Sequence, residues 1–414
     1  MIKAVRGFND ILPAEGELWR FIEEKALSVF SGYGFSEIRL PVLERTELFS
    51  RSIGETTDIV EKEMYTFKDR RGESLTLRPE GTAPAVRAYI EHRLYSLPVQ
   101  KIFYRGPMFR YERPQKGRYR QFYQIGAEVL GDASPRADAE VIEMLMLYFE
   151  RLGVAGVELQ INSLGCNSCR PGYRKKLYAF LLSIKDSLCE NCRRRIGDNP
   201  LRALDCKNPG CARATGGAPA IIDSLCNDCG VHFSAVIESL NILSIEARIN
   251  PRMVRGLDYY TKTTFEVTAG ALGAQNAVAA GGRYDNLVSD LGGPGTPCLG
   301  FAIGVERLAL VLKAGGVKIS RPLVVFMALG QEAERRGVEV VRELRARGLK
   351  VAEDFSSGPL KKRMKRADKL GAGFVVILGE DEIRDKVVTV KDMSGARQER
   401  LSREVLYDWI TAGG

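Results

Sequence analysis

Histidine is nearly missing from this chain of 414 residues; only His92 and His232 occur. That scarcity argues against a histidine-based catalytic triad and against a metal site built from several histidines. Arginine, glutamate, tyrosine and glutamine are left to carry any chemistry. No stretch approaches the ~18 consecutive apolar residues of a membrane helix. The opening MIKAVRGFND also lacks the apolar run of a secretory signal, so a cytoplasmic protein with no membrane partner is expected. Neither G-x-x-x-x-G-K-[ST] nor the glycine fingerprint of dinucleotide-binding proteins occurs. If the chain uses a nucleotide, arginines on an antiparallel sheet must hold its phosphates.

What remains is an ordinary globular mixture, 45% hydrophobic and 27% charged, long enough for two or three domains. Against 52 acidic residues stand 61 basic ones, a net charge of +9, which permits a nucleic-acid partner without demonstrating one.

Residues 15–32 carry Leu18, Phe21, Ile22, Leu27, Val29 and Phe30 at near-helical spacing, and Gly32 and Gly34 end that helix. FSEIRLPVLE then alternates like a strand, with Pro41 near its end. SLTLRPEGTAPAVRAYIEHRL reads as strand, turn and helix, with Thr82 as the helix N-cap. The stretch 101–130 reads as a long antiparallel hairpin around the loop ERPQKGRY. A helix at 136–152 and a strand at VELQINSLG follow. The texture then changes between Cys166 and Cys229, where eight of the nine cysteines lie among 11 basic and 6 acidic residues; this reads as an insertion. Beyond it come a helix near 231–242, a strand in RGLDYYTKTTFEVTA, a glycine-rich turn AAGGRYDNL, and GFAIGVERLALVL as a strand entering a helix. A linker at 313–322 leads into a β-α-β-α-β alternation, which predicts a separate α/β domain with a largely parallel sheet. Its second helix packs Lys361, Lys362, Arg363, Lys365, Arg366 and Lys369 into one short basic run.

The arginines are unusually placed. Arg105, Arg110, Arg113, Arg118 and Arg120 crowd the hairpin, while Arg255, Arg283 and Arg307 stand beside glycines or at a strand–helix junction. Most arginines are solvated surface charge. In FRYER, however, a strand would put Arg110 and Glu112 on one face and the aromatics on the other. A charged face under a basic loop suits a polyphosphate, which guanidinium forks bind in pairs of hydrogen bonds. The cysteines fall as Cys166-x₂-Cys169, Cys189-x₂-Cys192, Cys206-x₄-Cys211 and Cys226-x₂-Cys229. Such spacing is that of structural zinc sites, with reduced thiols as the plain alternative. Cys298 stands apart and reads as packed core.

RGFNDILP at the start, TLRPEGTA at 76–83, the hairpin FRYERPQKGRYRQFYQIGAE, RGLDYY at 255–260, AAGGRYD at 279–285 and GFAIGVERL at 300–308 together resemble the histidyl-tRNA synthetases, a class II aminoacyl-tRNA synthetase family. The resemblance runs in order over nearly the whole chain. It implies an α+β fold: an antiparallel-sheet catalytic core over 1–320, the Cys-rich insertion at 166–230 within it, and a C-terminal α/β anticodon-binding domain over 323–414. It implies a homodimer through the segment containing Pro41, with tRNA-His, L-histidine and ATP with Mg²⁺ as substrates. Arg110, in the class's second motif, would hold the α-phosphate, Glu112 the adenine side, Arg118 the outer phosphates and Arg307 the γ-phosphate. Arg255 would be the distinctive catalyst beside the α-phosphate. Glu80 and Thr82 would receive the histidine ammonium, Gln124 would accompany its carboxylate side, and Glu128 and Tyr260 would read the imidazole, with Gly81, Arg110, Arg255 and Tyr259 completing the histidine site.

These roles agree with the chemistry. A histidine carboxylate, ionised at pH 7, attacks the α-phosphorus and expels pyrophosphate. An anion approaches an anion, so fixed cations rather than a general base lower the barrier. An inert paralogue that regulates ATP phosphoribosyltransferase would lack both RGLDYY and the anticodon domain. A synthetase for another amino acid is disfavoured by Glu128 with Tyr260, and a basic nucleic-acid-binding protein leaves the ordered motifs unexplained.

Overall fold

The hairpin forms around its charged loop: Gln100–Phe109 pairs antiparallel with Gln121–Leu130. It lies within an eight-stranded sheet ordered Ser36–Glu37, Gln100–Phe109, Gln121–Leu130, Cys298–Gly304, Ala277–Arg283, Thr261–Ala269, Val157–Ser163, Ala247–Ile249. The six central strands are antiparallel throughout, and only the two short outer strands pair in parallel. The computed structural model describes residues 2–412 apart from 55–56, 205, 207, 255, 273–275, 318–322 and 396, and apart from the side chains of 198 and 271.

Strand alternation gives the sheet two unlike faces. Phe103 and Phe301 point to one and stack edge-on against Phe30 of the helix Pro13–Gly32, at 5.6 and 5.7 Å. Tyr148 of the helix Pro135–Arg151 packs on Phe30 and donates to the Ile22 carbonyl at 3.0 Å. Leu18, Ile22, Val29 and Phe30 are buried as their spacing predicts, whereas Leu27 is exposed. Gln124, Gly300, Ala302 and Gly304 belong to the other face, where a cavity opens.

Several local expectations are corrected. FSEIRLPVLE does not run as one strand: Ser36–Glu37 joins the large sheet, and Leu43–Arg45, beyond Pro41, joins a separate three-stranded sheet with Ser74–Leu77 and Tyr65–Lys68. Thr82 begins its helix but does not cap it. The Glu80 carboxylate does so, accepting from the backbone N–H of Thr82 and Ala83 at 2.7 and 2.8 Å. AAGGR is no turn but the inner strand Ala277–Arg283. Its glycines serve close approach: a Cβ on Gly281 would lie 2.2 Å from the Gly300 carbonyl oxygen. Arg283 in that strand is wholly buried and pairs with Asp138 while donating to the Asp132 and Ser134 carbonyls. His232 joins the same network at 3.3 Å from Asp138. Burial works to raise the Asp138 carboxyl, but His232 and Arg283 hold it below its usual value.

The insertion is helical, with Arg170–Ser183, Glu190–Asp198 and short turns around a small core of Tyr173, Leu177, Leu181, Leu188 and Ile196. The chain divides into two compact units, 1–317 and 318–414. In the second, Lys350–Glu353, Leu323–Ala328 and Ala372–Leu378 pair in parallel, and Val388–Asp392 and Gln398–Leu401 extend that sheet antiparallel. Val324 and Phe326 face one apolar layer and Val325 and Met327 the other. Of the basic run on the helix Leu360–Lys369, Lys361, Lys362, Lys365 and Lys369 are exposed. Arg363 folds inward instead, paired with Asp354 at 2.8 Å and donating to the Ala328 carbonyl. Among the described residues no helix is long and apolar enough to cross a membrane.

Candidate active site

The cavity on the open sheet face measures about 440 Å³, within the usual range for small-molecule sites. Glu80, Thr82, Arg110, Glu112, Arg118, Gln124, Tyr259, Tyr260 and Arg307 all line it. Residues from four separate stretches of sequence thus meet around one space. Gly81 and Glu128 lie behind its wall rather than on it. Arg255 lies outside the described residues, while the next residues along, Gly256 and Leu257, line the cavity.

One part of the wall is cationic. The strand ends at Phe109, so Arg110 and Glu112 sit in the loop and not, as the alternation of FRYER suggests, on a strand face. Arg110 is held by its Nε donating to the Pro79 carbonyl at 2.8 Å and by lying 5.2 Å over the Phe122 ring. Glu112 is buried and ion-paired with Arg118. Arg307 donates to the Ala277 carbonyl at 2.8 Å and to that of Gly117 at 3.4 Å. Burial, then the neighbouring Arg110 and Arg307, hold the Arg118 guanidinium below its usual value despite Glu63 nearby. Three cations this close, in a partly desolvated wall, favour a polyanion between them. Glu63 belongs to this group too, and its sequence surroundings, IVEKEMY, carried no signal.

Another part is lined by hydroxyls. Tyr259 stacks with Tyr260 at 4.8 Å and with Tyr284 at 5.6 Å. Behind them Glu128 accepts from Thr82 at 2.7 Å, Tyr104 at 3.1 Å and Tyr284 at 2.5 Å. Burial pushes this carboxyl up to about 8, against the lowering effect of the Tyr284 and Thr82 hydrogen bonds. Gly300 faces Glu128 across the ladder, and a Cβ there would lie 1.7 Å from Glu128 Oε2. No local pattern in the sequence distinguishes Tyr104 or Tyr284. Tyr284 follows the glycine-rich strand, but nothing marks it apart from its neighbours until the fold sets it against Glu128. Among the described residues, the buried Gln124 Oε1, on the cavity wall, has no hydrogen-bond partner. A buried polar atom of this kind is satisfied when a ligand supplies its partner.

The eight insertion cysteines divide into two sets, Cys166, Cys169, Cys226 and Cys229, and Cys189, Cys192, Cys206 and Cys211. Within each set all sulfurs lie within 4.8 Å of one another, so each set could hold a metal ion. None of the eight lines the cavity. Cys298 is buried in the core beneath it, as its isolation implies.

A cationic wall beside hydroxyls, tyrosines and an orphaned amide oxygen can hold a polyphosphate against a small polar molecule. Comparison with known proteins gives that capacity a context. The family model described as histidyl-tRNA synthetase matches residues 7–167 and 224–308, and the one described as anticodon binding domain matches 323–412. The unmatched stretch between the first two segments falls in the Cys-rich insertion. The histidine–tRNA ligase of Trichlorobacter lovleyi is 54% identical over 417 residues, covering 100% of this chain and 99% of that protein. That of Geobacter sulfurreducens is 56% identical, covering 95% of each. The crystal structure of apo histidyl-tRNA synthetase from S. aureus matches with a TM-score of 0.78 at 36% identity, over 99% of this chain and 100% of that one. A Bacillus halodurans structure described as an ATP phosphoribosyltransferase regulatory subunit/histidyl-tRNA synthetase shares the fold at 21% identity, with a TM-score of 0.65 over 92% of this chain and 98% of that one. By family model and by full-length identity alike, the chain belongs to the histidyl-tRNA synthetase family.

Proposed function

We propose that the chain activates L-histidine with ATP to histidyl-adenylate and transfers the histidyl group to the 3′ end of tRNA-His, as a cytoplasmic homodimer. The observation that carries this reading is the cavity itself, where Arg110, Arg118 and Arg307 stand beside a hydroxyl wall backed by Glu128.

Arg110 is assigned to the α-phosphate, Arg118 to the outer phosphates, Arg307 to the γ-phosphate and Glu112 to the adenine side. ATP enters as its Mg²⁺ complex, which shares the charge of the outer phosphates. The arginines are fixed before the reaction by the Pro79, Ala277 and Gly117 carbonyls and by Glu112. Little reorganisation is then needed as charge develops on the α-phosphate. Arg255 is assigned to that phosphate as the distinctive catalyst.

The hydroxyl wall takes histidine. Glu80 and Thr82 receive the ammonium, and the Gln124 amide gains a partner from the backbone end of the amino acid. Thr82, Tyr104 and Tyr284 hold the Glu128 carboxyl from behind the wall, and Glu128 is assigned to an imidazole N–H that reaches it when the cavity-lining Thr82 or Tyr284 hydroxyl turns aside. Tyr260, stacked on Tyr259, serves the second ring nitrogen. A site made to hydrogen-bond both nitrogens rejects isosteres that cannot reply.

Residues 1–320 are assigned to this chemistry and 323–414 to the tRNA anticodon, where the exposed lysines on Leu360–Lys369 meet phosphates. The homodimer rests on the class's interface motif, which the segment through Pro41 resembles, and the cytoplasm follows from the activity. The test is transfer of labelled histidine to a tRNA-His transcript. Histidine-dependent charging is expected; charging with a different amino acid, or none, would refute the reading.

A further inference from the structure

We propose that the insertion binds two Zn²⁺ ions, one in each cysteine set, and that the fold they lock is a clasp holding both ends of the cavity segment 256–260.

The geometry of the sulfurs argues for single metal ions. Tetrahedral Zn–S bonds of about 2.3 Å place sulfurs about 3.8 Å apart. Cys166 Sγ lies 3.6 Å from Cys169 Sγ and 3.8 Å from Cys226 Sγ, and Cys189 Sγ lies 3.8 Å from Cys206 Sγ. These spacings are too long for disulfides. Backbone N–H groups also point at the sulfurs: Ser168 to Cys166, Cys226 to Cys169, and Cys189 to Cys211, at 3.4, 3.1 and 3.1 Å. Donors of this kind stabilise thiolates in metal sites. Binding replaces four S–H protons with one divalent ion in each set and releases the protons to solvent. The insertion has a thin core, so a large part of its order would come from the metals.

The arms of this metal-ordered fold reach the cavity loop. Arg170, one residue beyond Cys169, donates to the Leu164 carbonyl at 3.0 Å and to the Tyr260 carbonyl. Around the second set, Arg202 donates to the Gly256 carbonyl at 2.8 Å and to Asp258 at 3.0 Å, and Asn199 reaches Asp258 at 3.3 Å. Arg195 grips Asp58, next to the cavity residue Ile59, at 2.9 and 3.0 Å. Gly256, Asp258 and Tyr260 are thus held from outside the sheet, by a module whose own shape would depend on its cysteines. Arg202 and Asn199 are positioning residues: they touch the loop, not the cavity.

The zinc assignment stands on its own, while the clasp rests on the histidine reading above. Elemental analysis of the full-length protein, purified reduced and without added metal, should find about two zinc ions per chain, and about one in Cys166→Ser and in Cys206→Ser. One zinc ion or none in the folded, active protein overturns the two-site assignment. Because the cysteine variants can fail to fold, Arg202→Ala tests the clasp separately. It should keep both zinc ions and its melting temperature, raise the KM for histidine in ATP–pyrophosphate exchange about tenfold, and change kcat less than about threefold. Arg202→Lys should recover part of the loss. An unchanged KM in zinc-replete Arg202→Ala overturns the clasp. Absence of histidine-dependent exchange in the unaltered protein would instead refute the functional reading and leave the zinc count standing.

Discussion

Tyr284 donates its hydroxyl to Glu128 Oε2 at 2.5 Å, while Thr82 and Tyr104 donate to Oε1 from the opposite side at 2.7 and 3.1 Å. Three hydroxyls from three distant segments therefore fix one buried carboxyl behind the cavity. Glu128→Gln keeps the shape and replaces the titratable carboxyl with a neutral amide. Loss of one hydrogen bond to this group costs about 0.5–1.5 kcal/mol, so histidine affinity should fall about 2- to 12-fold in a folded protein. Unchanged affinity in a binding titration would show that Glu128 does not serve the ring.

The same carboxyl gives a pH signature. Its value in the folded chain, pushed up by burial to about 8, lies above that of the unfolded chain, about 4.3. The folded state therefore binds more protons between these limits, and stability falls as pH rises through them. Melting curves from pH 5 to 9 should show a steeper decline for the unaltered protein than for Glu128→Gln, which lacks the group. Parallel curves would contradict the assignment.

Tyr284→Phe removes one donor and no packing. The Glu128 carboxyl should then rise further, and the protein should lose about 1 kcal/mol of stability. Chemical denaturation at fixed pH measures this; no loss would mean that the hydroxyl contact contributes nothing.

Arg283→Ala should destabilise the core by about 3–5 kcal/mol, because it strands the buried Asp138 carboxylate. Denaturant titration checks it. A fully stable variant would show that the buried Arg283–Asp138 pair contributes nothing to the core.

Shortening the chain to Val317 should preserve ATP–pyrophosphate exchange if the dimer survives, and lower tRNA charging by at least about tenfold. In the full chain, neutralising Lys361, Lys362, Lys365 or Lys369 should each reduce the salt dependence of tRNA binding by about one unit of slope. Charging of tRNA by the shortened chain at full efficiency would remove the anticodon assignment from 323–414.

What the sequence disclosed and what it hid follow from how far apart the interacting residues lie. The hairpin, its basic loop and the strand–helix junction at Arg307 are local features, and alternation, glycine and proline mark them. The parallel half of the second sheet follows from the same local periodicities, whereas the α+β layout of the core is implied by the resemblance. Long-range partners were hidden. Nothing in AAGGRYD tells that Arg283 turns inward to Asp138, 145 residues away, or that Tyr284 finds Glu128. Thr82 looks like a cap because threonine often is one, but its hydroxyl is drawn to Glu128 while Glu80 closes the helix. Arg363 resembles its exposed lysine neighbours until Asp354 is placed beside it. The cysteine spacing signalled metal, but only the fold divides eight thiols into two sets of four. Val388–Asp392 and Gln398–Leu401 pair antiparallel and so lie outside the β-α-β rhythm that marks the rest of the second sheet.

Arg255→Ala should slow adenylate formation by about 10²–10³-fold while leaving histidine binding nearly intact, the expected result of removing one preorganised charged donor. Single-turnover adenylate formation with an independent binding titration separates the two. A near-normal rate would remove Arg255 from the catalytic group.

The central claim is that the cavity joins ATP to histidine and to no other amino acid. Exchange of labelled pyrophosphate into ATP, run with each of the twenty amino acids in turn, measures that step without tRNA. The account predicts rapid exchange with L-histidine and near-background exchange with the rest. Exchange driven equally well by another amino acid, or absent with histidine in the folded protein, would contradict it.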